Sequence, residues 1–301
     1  MRSGKTIMEN KVAATLCDWG VCDEKAIEEF YPRVRDRDDI AVMRCKKSGV
    51  IFTSTSAHMD LSHYAEKHEF PHYWKEDDRK KALVDAFADD SRRKEQFLSL
   101  ISNKAWLDVG CGAGGVLDLL RPFAAKVVAV EPQKRALDAL KQENYEAYSD
   151  ISEVPGSDFD VITLFHVFEH LTDPLDLLRI AHDKLKPGGK IVIEVPHAHD
   201  FLFAYLDLEA FKKFTFWSEH LVLHNRGSLT AFLERANFRN TVISGFQRYN
   251  LANHLHWLKE KQPGGHIKWS MLATEQLDSA YSDMLQRIDM TDTLIAIAEK
   301  R

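Results

Sequence analysis

Cysteine is scarce. Four residues in 301 (Cys17, Cys22, Cys45 and Cys111) are too few for a disulfide framework in a chain this long, and we read them as reduced thiols. Long apolar runs are missing as well. None approaches the roughly 18 residues that a membrane helix needs, and the N-terminus has no apolar core of signal-peptide length. The expected location is therefore the cytoplasm, with no membrane partner. Nor is there an excess of positive charge: Lys+Arg is 40 against Asp+Glu 46, a net charge of −6. That balance argues against a broad nucleic-acid-binding face. No internal repeat or low-complexity tract is found. What remains is 45% hydrophobic and 29% charged, the balance of a soluble globular protein. Its length suggests two domains, or one with large additions.

The middle of the chain alternates strand and helix signals. Residues 105–110 (AWLDVG), 126–131 (KVVAVE) and 159–165 (FDVITLF) read as strands, with a short one at Tyr145–Tyr148. Helices are expected over VLDLLRPF after the first, PQKRALDALKQ after the second, and from a Thr172/Asp173 cap with Pro174 to about Leu185. Lys186-Pro187-Gly188-Gly189 turns the chain into a fifth strand, KIVIEVP. A helix at 228–236 and a strand at 239–246 follow, and 292–300 reads as a last strand paired to the sixth. The expected fold class is α/β: a doubly wound, seven-stranded, Rossmann-like sheet. Four regions are expected: a charged, aromatic N-terminal module or lid over 1–95, a nucleotide-binding domain over 96–246, an insertion over 247–291 and the final strand over 292–301.

The strongest motif is Asp108-Val109-Gly110-Cys111-Gly112-Ala113-Gly114-Gly115, where a strand becomes a helix. Glycines there let backbone approach a ligand, and the helix start offers free N–H groups. Glu131, followed by Pro132, ends the next strand, where a carboxylate can accept both ribose hydroxyls. The glycines alone fit two templates, the dinucleotide fingerprint and the loop that holds S-adenosylmethionine (SAM).

Three features together resemble the class I SAM-dependent methyltransferases: Leu107-Asp108-Val109-Gly110-Cys111-Gly112, Leu185-Lys186-Pro187-Gly188-Gly189-Lys190, and a final strand after strand six. The resemblance implies SAM as cofactor and S-adenosylhomocysteine as its product. Asp108, Gly110, Gly112 and Gly114 would contact the methionine end and ribose, with Cys111 as a small space-filler in the loop. Glu131 would hold the ribose hydroxyls. Asp150 and Ile151 would flank the adenine, although Asp150 also reads as a helix cap. Phe165 and His166 would lie beside the sulfonium, and Tyr64 would reach the methionine carboxylate.

Methyl transfer requires proximity and removal of the acceptor's proton. Trp217-Ser218-Glu219-His220 resembles the Tyr-x-Glu-His segment of sugar C-methyltransferases, with Trp217 in place of Tyr. His220 is then the candidate base and Glu219 its orienting partner; the other reading is that the pair caps the next helix. The lost hydroxyl leaves O- or N-methylation open. Cys45-Lys46-Lys47-Ser48-Gly49 is similar to the zinc knuckle ahead of those enzymes, but Ser48 replaces the second cysteine, so no structural zinc is expected. His166, Glu169 and His170 resemble a stretch of metal-dependent, quinone-type O-methyltransferases. In the leading reading no metal is expected and His170 and Trp217 border the acceptor. Arg248, Tyr249, Asn253 and His254, on the insertion, suit a polar, ring-shaped acceptor; a packed seam is the alternative. The expected function is methyl transfer to a small polar molecule, foremost a nucleotide-linked sugar. The runner-up is O-methylation of a phenol or quinone, with metal assistance. A non-catalytic SAM-binding protein is the alternative from another class. No nucleic-acid partner is expected, and a homo-oligomer stays open.

Overall fold

The computed structural model describes residues 9–59 and 79–301. Tyr64 lies outside the described residues. Seven strands form the central sheet: β4 (Ala105–Val109), β5 (Lys126–Val130), β6 (Glu146–Tyr148), β7 (Phe159–Phe165), β8 (Leu185–Pro196), β10 (Phe238–Phe246) and β11 (Thr293–Lys300). Their order is β10-β11-β8-β7-β4-β5-β6. Only β11 runs antiparallel, between β8 and β10. The chain winds outward from β4 to β6, then returns to place β7 on the other side of β4. The crevice at that reversal, at the carboxyl ends of β4 and β7, is where open α/β sheets hold ligands.

Sequence dictates these strands directly. In β4 every residue after Ala105 is buried, as are the last five of β7, because helices cover both faces. Leu107, Ile162, Ile191 and Leu294 pack on one side of the sheet with Leu178, Leu229 and Phe232. Trp106, Val161, Val192 and Ile295 pack on the other with Phe97, Ile101 and Leu117. The helix expected after Asp173 is present as Pro174–Lys184, with the Asp173 carboxylate accepting from the Asp176 N–H at 3.1 Å. The turn expected at Lys186–Gly189 lies within β8, as a bulge between the pairs Phe159–Leu185 and Val161–Lys190; Gly188 takes φ +75° there, a conformation glycine adopts without the Cβ clash.

The N-terminal region differs from a free-standing module. Its strands β1 (Ile27–Tyr31), β2 (Val42–Cys45) and β3 (Ile51–Thr53) form an antiparallel sheet whose fourth strand is β9 (Val222–Leu223). The Asn10 amide donates to the carbonyls of Thr53 (2.9 Å) and Leu221 (3.1 Å), a second tie between the two regions. The long helix Arg79–Ile101 also runs through the boundary expected at residues 95 and 96, burying Asp90, Phe97 and Ile101 along one stripe. Local periodicity could not show either tie, since a two-residue strand has no period and the helix is charged almost all round. Within 247–291 lie helices Leu251–Glu260, Gly265–Lys268 and Glu275–Arg287. No helix among the described residues is long and apolar enough to cross a membrane.

Candidate functional site

The loop after β4 is built on left-handed glycines: Gly110 has φ +73°, Gly112 +53° and Gly114 +78°. A Cβ on Gly110 would stand 2.3 Å from Val167 Cγ2, so the backbone passes closer than any side chain allows. A Cβ on Gly112 would meet no atom of the described residues within 4 Å, so among them the loop faces open space there. Glu131 is folded back onto this loop. Its carboxylate accepts from the Gly112 N–H and from the Gln133 N–H, each at 2.8 Å. Burial raises its pKa, and those two N–H bonds pull against the rise. Asp108 is buried beneath the loop and accepts from Thr163 Oγ1 at 2.5 Å, while Thr163 accepts from Trp106 Nε1 at 2.8 Å. Burial pushes the Asp108 carboxyl up to about 7. Cys111 donates its thiol to the Val130 carbonyl at 3.6 Å and is half-buried. Asp150 caps the turn Ile151–Glu153, accepting from the Ser152 N–H at 2.8 Å; Ile151 is buried beside it.

At the end of β7, Phe165 packs on Phe97, with the Arg93 guanidinium 4.8 Å from its ring centre. His166 follows with φ +55°, a left-handed turn that aims its ring into a buried charge network. Its Nδ1 lies 3.1 Å from Glu169 Oε1 and its Nε2 3.3 Å from Glu194 Oε1. Burial opposes a charge on His166, but Glu169 and Glu194 outweigh it and raise its pKa. Glu194 is wholly buried near the end of β8 and is bridged by Arg92 (2.9 Å) and Arg93 (2.7 Å) from the Arg79–Ile101 helix. Burial works against its ionised form, yet His166 and the two arginines hold its pKa well below the ordinary carboxylate range.

The sequence reading passed over Asp89, Arg92, Arg93 and Glu194. One signal was available: Glu194 is the only acid in the run Ile191-Val192-Ile193-Glu194-Val195, and a lone charge in a buried strand needs partners.

Next to this network, Glu169, His170 and His220 bring one ligand atom each to within 4.8 Å of one another. Glu169 Oε2 and His170 Nδ1 are buried and have no hydrogen-bond partner among the described residues. Burial would raise the Glu169 pKa, but His166 and the neighbouring imidazoles hold it at about 2. Burial, then the neighbouring His170, pushes the His220 imidazole down to about 3. The rings of His170 and His220 are 5.0 Å apart, and Trp217 is 5.4 Å from His220. The carboxylate weighing most on His220 is Glu169. Glu219, expected to orient that ring, is buried; after Asp36, its charge also favours the Arg35 guanidinium, which sits 4.7 Å over Trp217.

The insertion residues divide. Arg248 reaches the network: its NH1 lies 3.3 Å from His166 Nε2, and it pairs with Asp89 through Nε at 3.1 Å and through NH2. Its charge is thus answered by the Asp89 carboxylate. Tyr249 is partly exposed beside the Arg248 guanidinium, 5.4 Å from ring centre to charge. Asn253 and His254 turn inward. Asn253 Oδ1 accepts from the Gly265 N–H at 3.1 Å, and His254 Nδ1 pairs with the Tyr281 hydroxyl at 2.7 Å. Both sit in the packed seam between insertion helices rather than at the wall of an acceptor pocket.

A family model described as a methyltransferase domain matches residues 73–242. The "Ubiquinone biosynthesis O-methyltransferase" of Pseudomonas paraeruginosa is 29% identical over 122 residues, 36% of this chain and 52% of that protein. The protein of the same name from Xanthomonas campestris pv. campestris is 34% identical over 98 residues, 29% of this chain and 41% of that protein. The chain spans about half the length of the curated relatives it matches. Among solved structures, a "SAM dependent methyltransferase from Archaeoglobus fulgidus" is similar at a TM-score of 0.49 and 19% identity, covering 74% of this chain and 95% of that one. Because the family match takes in more than half of the 301 residues, including the glycine loop, Glu131 and His220, the chain belongs to the methyltransferase domain family.

Proposed function

We propose that this protein transfers the methyl group of SAM to a small polar acceptor and releases S-adenosylhomocysteine. The observation that carries the reading is the carboxylate of Glu131, clamped by two backbone N–H groups at the rim of a glycine loop that, among the described residues, faces open space. That carboxylate is fixed and directed as a ribose diol requires, and the loop gives the backbone room to meet the ligand. SAM, when bound, supplies a sulfonium-activated methyl group. Asp108 shapes the loop from below, and Phe165 with His166 borders the reacting end.

His220 is the base in this reading. Its low pKa keeps the imidazole neutral across the neutral range and makes it a weak base, so it takes the proton only as the acceptor is methylated. With SAM bound, the His220 ring would take the proton that the acceptor's hydroxyl or other X–H loses as it is methylated. Trp217 and His170 border the acceptor. A sugar leads among acceptors because Trp217-Ser218-Glu219-His220 resembles the Tyr-x-Glu-His segment of sugar C-methyltransferases.

A second reading, O-methylation of a phenol or quinol with a divalent metal, is favoured by one observation. Glu169, His170 and His220 have metal-ligand spacing, and two of their buried atoms have no partner among the described residues. It also accords with the names of the curated relatives.

Mass spectrometry with isotope-labelled SAM and a panel of nucleotide sugars and small phenols separates the two. Label on a sugar nucleotide that vanishes with His220→Ala, while SAM still binds, supports the first reading. Label only on a phenol, lost on chelation and restored by a divalent ion, supports the second. Tight SAM binding with no labelled product across the panel counts against both acceptors.

A further inference from the structure

We infer that His197, His199 and Asp289 form a binding site for a divalent transition-metal ion of the zinc type, apart from the reaction centre. Each offers one ligand atom, and the three atoms lie within 4.8 Å of one another. The decisive residue is His197, which is completely buried. Its Nδ1 lies 3.0 Å from the Thr291 carbonyl, and a carbonyl can only accept, so Nδ1 carries the proton. In the neutral ring, Nε2 is then a bare lone pair, and it is buried with no hydrogen-bond partner among the described residues. An imidazole whose tautomer is fixed by a backbone carbonyl, with the other nitrogen free, is the arrangement metal-binding histidines adopt.

The other two ligands are aimed in the same way. A Cβ on Gly49 would lie 2.5 Å from His199 Nε2, so that face of the ring packs against backbone and Nδ1 is the nitrogen left to bind. Nδ1 lies 3.5 Å from Asp289 Oδ2. The other carboxylate oxygen, Oδ1, is held by Arg226 Nε at 2.7 Å, which orients Asp289 and leaves Oδ2 to the site. Two nitrogens and one oxygen with an open fourth position suit zinc. Bonds of about 2.0–2.1 Å put tetrahedral ligand atoms about 3.3 Å apart, so the site must contract by up to about 1.5 Å. His199 and Asp289 are each about one-third exposed, 34% and 38%, and can make that movement.

The site would join the end of β8 to the segment that enters β11. That segment also contains Asp292, whose carboxylate accepts from the Arg248 N–H at 3.1 Å. A bound ion would thus fasten the insertion to the central sheet, a structural role independent of the acceptor's identity.

The test is titration of the metal-free full chain with Co²⁺, read by visible absorption and by calorimetry. One bound equivalent with the intense bands of a four-coordinate ion is expected. His199→Ala and Asp289→Asn should each weaken binding by at least about 100-fold, since removing a ligand costs more than removing an outer-sphere partner. Both should leave circular dichroism unchanged, because both side chains are partly exposed. Glu169→Gln should keep the bands, which separates this site from the cluster at the reaction centre. No bound Co²⁺, or bands lost in Glu169→Gln and kept in His199→Ala, would overturn the inference.

Discussion

An alanine at position 110 would place a methyl group where Val167 already stands. Gly110 has φ +73°, and its virtual Cβ is 2.3 Å from Val167 Cγ2 and 3.4 Å from Cγ1. Two penalties follow. A left-handed conformation costs a non-glycine residue about 1–2 kcal/mol. Overpacking costs about 1–3 kcal/mol more, because the clash is with a branched side chain fixed close to its own backbone. Gly110→Ala should therefore destabilise the protein by about 2–5 kcal/mol. Val167→Ala alone removes two methyl groups from a half-buried site, at about 1 kcal/mol. The double variant removes the obstacle and keeps the backbone strain. It should thus be more stable than the sum of the single changes predicts by about 1–3 kcal/mol. Urea unfolding at constant m-value measures each corner of the cycle, and calorimetry with S-adenosylhomocysteine reports whether the loop still binds. A neutral Gly110→Ala, or single effects that simply add, would refute the account of why glycine stands there.

Three further outcomes are expected. Glu131→Gln can accept only one of the two N–H bonds now held at 2.8 Å, so stability should fall by about 1–3 kcal/mol and SAM affinity by about 10–100-fold; unchanged affinity removes Glu131 from the ribose site. Asn10→Ala should cost about 2–4 kcal/mol, because it strips a helix cap and removes two buried amide bonds, to the Thr53 and Leu221 carbonyls; a change below half a kilocalorie in thermal or urea unfolding would count against it. Asp200→Asn tests linkage. Burial, then Asp292, pushes the Asp200 carboxyl up to about 8, above its unfolded value. The native protein therefore keeps a proton that the unfolded chain has lost, and stability drains away as pH rises from about 4 to about 8. Asn has no such loss, so its advantage should grow by up to about 1.4 kcal/mol per pH unit across that window and level off above it. Parallel stability curves would contradict the shift.

What the sequence could reveal divides along physical lines. The loop at Gly110–Gly114, the Asp173 cap and the Lys186–Gly189 turn were readable because each depends on residues adjacent in the chain. The βαβ pattern placed Glu131 near the glycine loop, but its bonds to the Gly112 and Gln133 N–H groups were seen only in the fold. By contrast, Arg92 and Arg93 sit on a helix with charge nearly all round, and nothing local shows which arginine faces the sheet. The partner they meet, Glu194, is about a hundred residues away. Asn253 and His254 stayed open between pocket wall and packed seam for a related reason: amides and imidazoles that close on one another in a seam look the same in sequence as those that await a ligand. Glu219 was given to His220 because they are neighbours in the chain, whereas the fold brings Glu169 to that ring instead.

The pairing of β9 with β3 has a consequence for how this protein can be cut and how it assembles. Val222 and Leu223 lie two and three residues beyond His220, and they are held by Phe52 and Ile51. A fragment that starts at the long helix would lose β3, the strand that β9 pairs with among the described residues. The proposed base would then hang from a loose thread of chain. The N-terminal sheet therefore backs the segment that carries the proposed base, and about 170 residues must be synthesised between β3 and the strand that pairs with it. In a growing chain, the reaction centre is among the last parts to take shape.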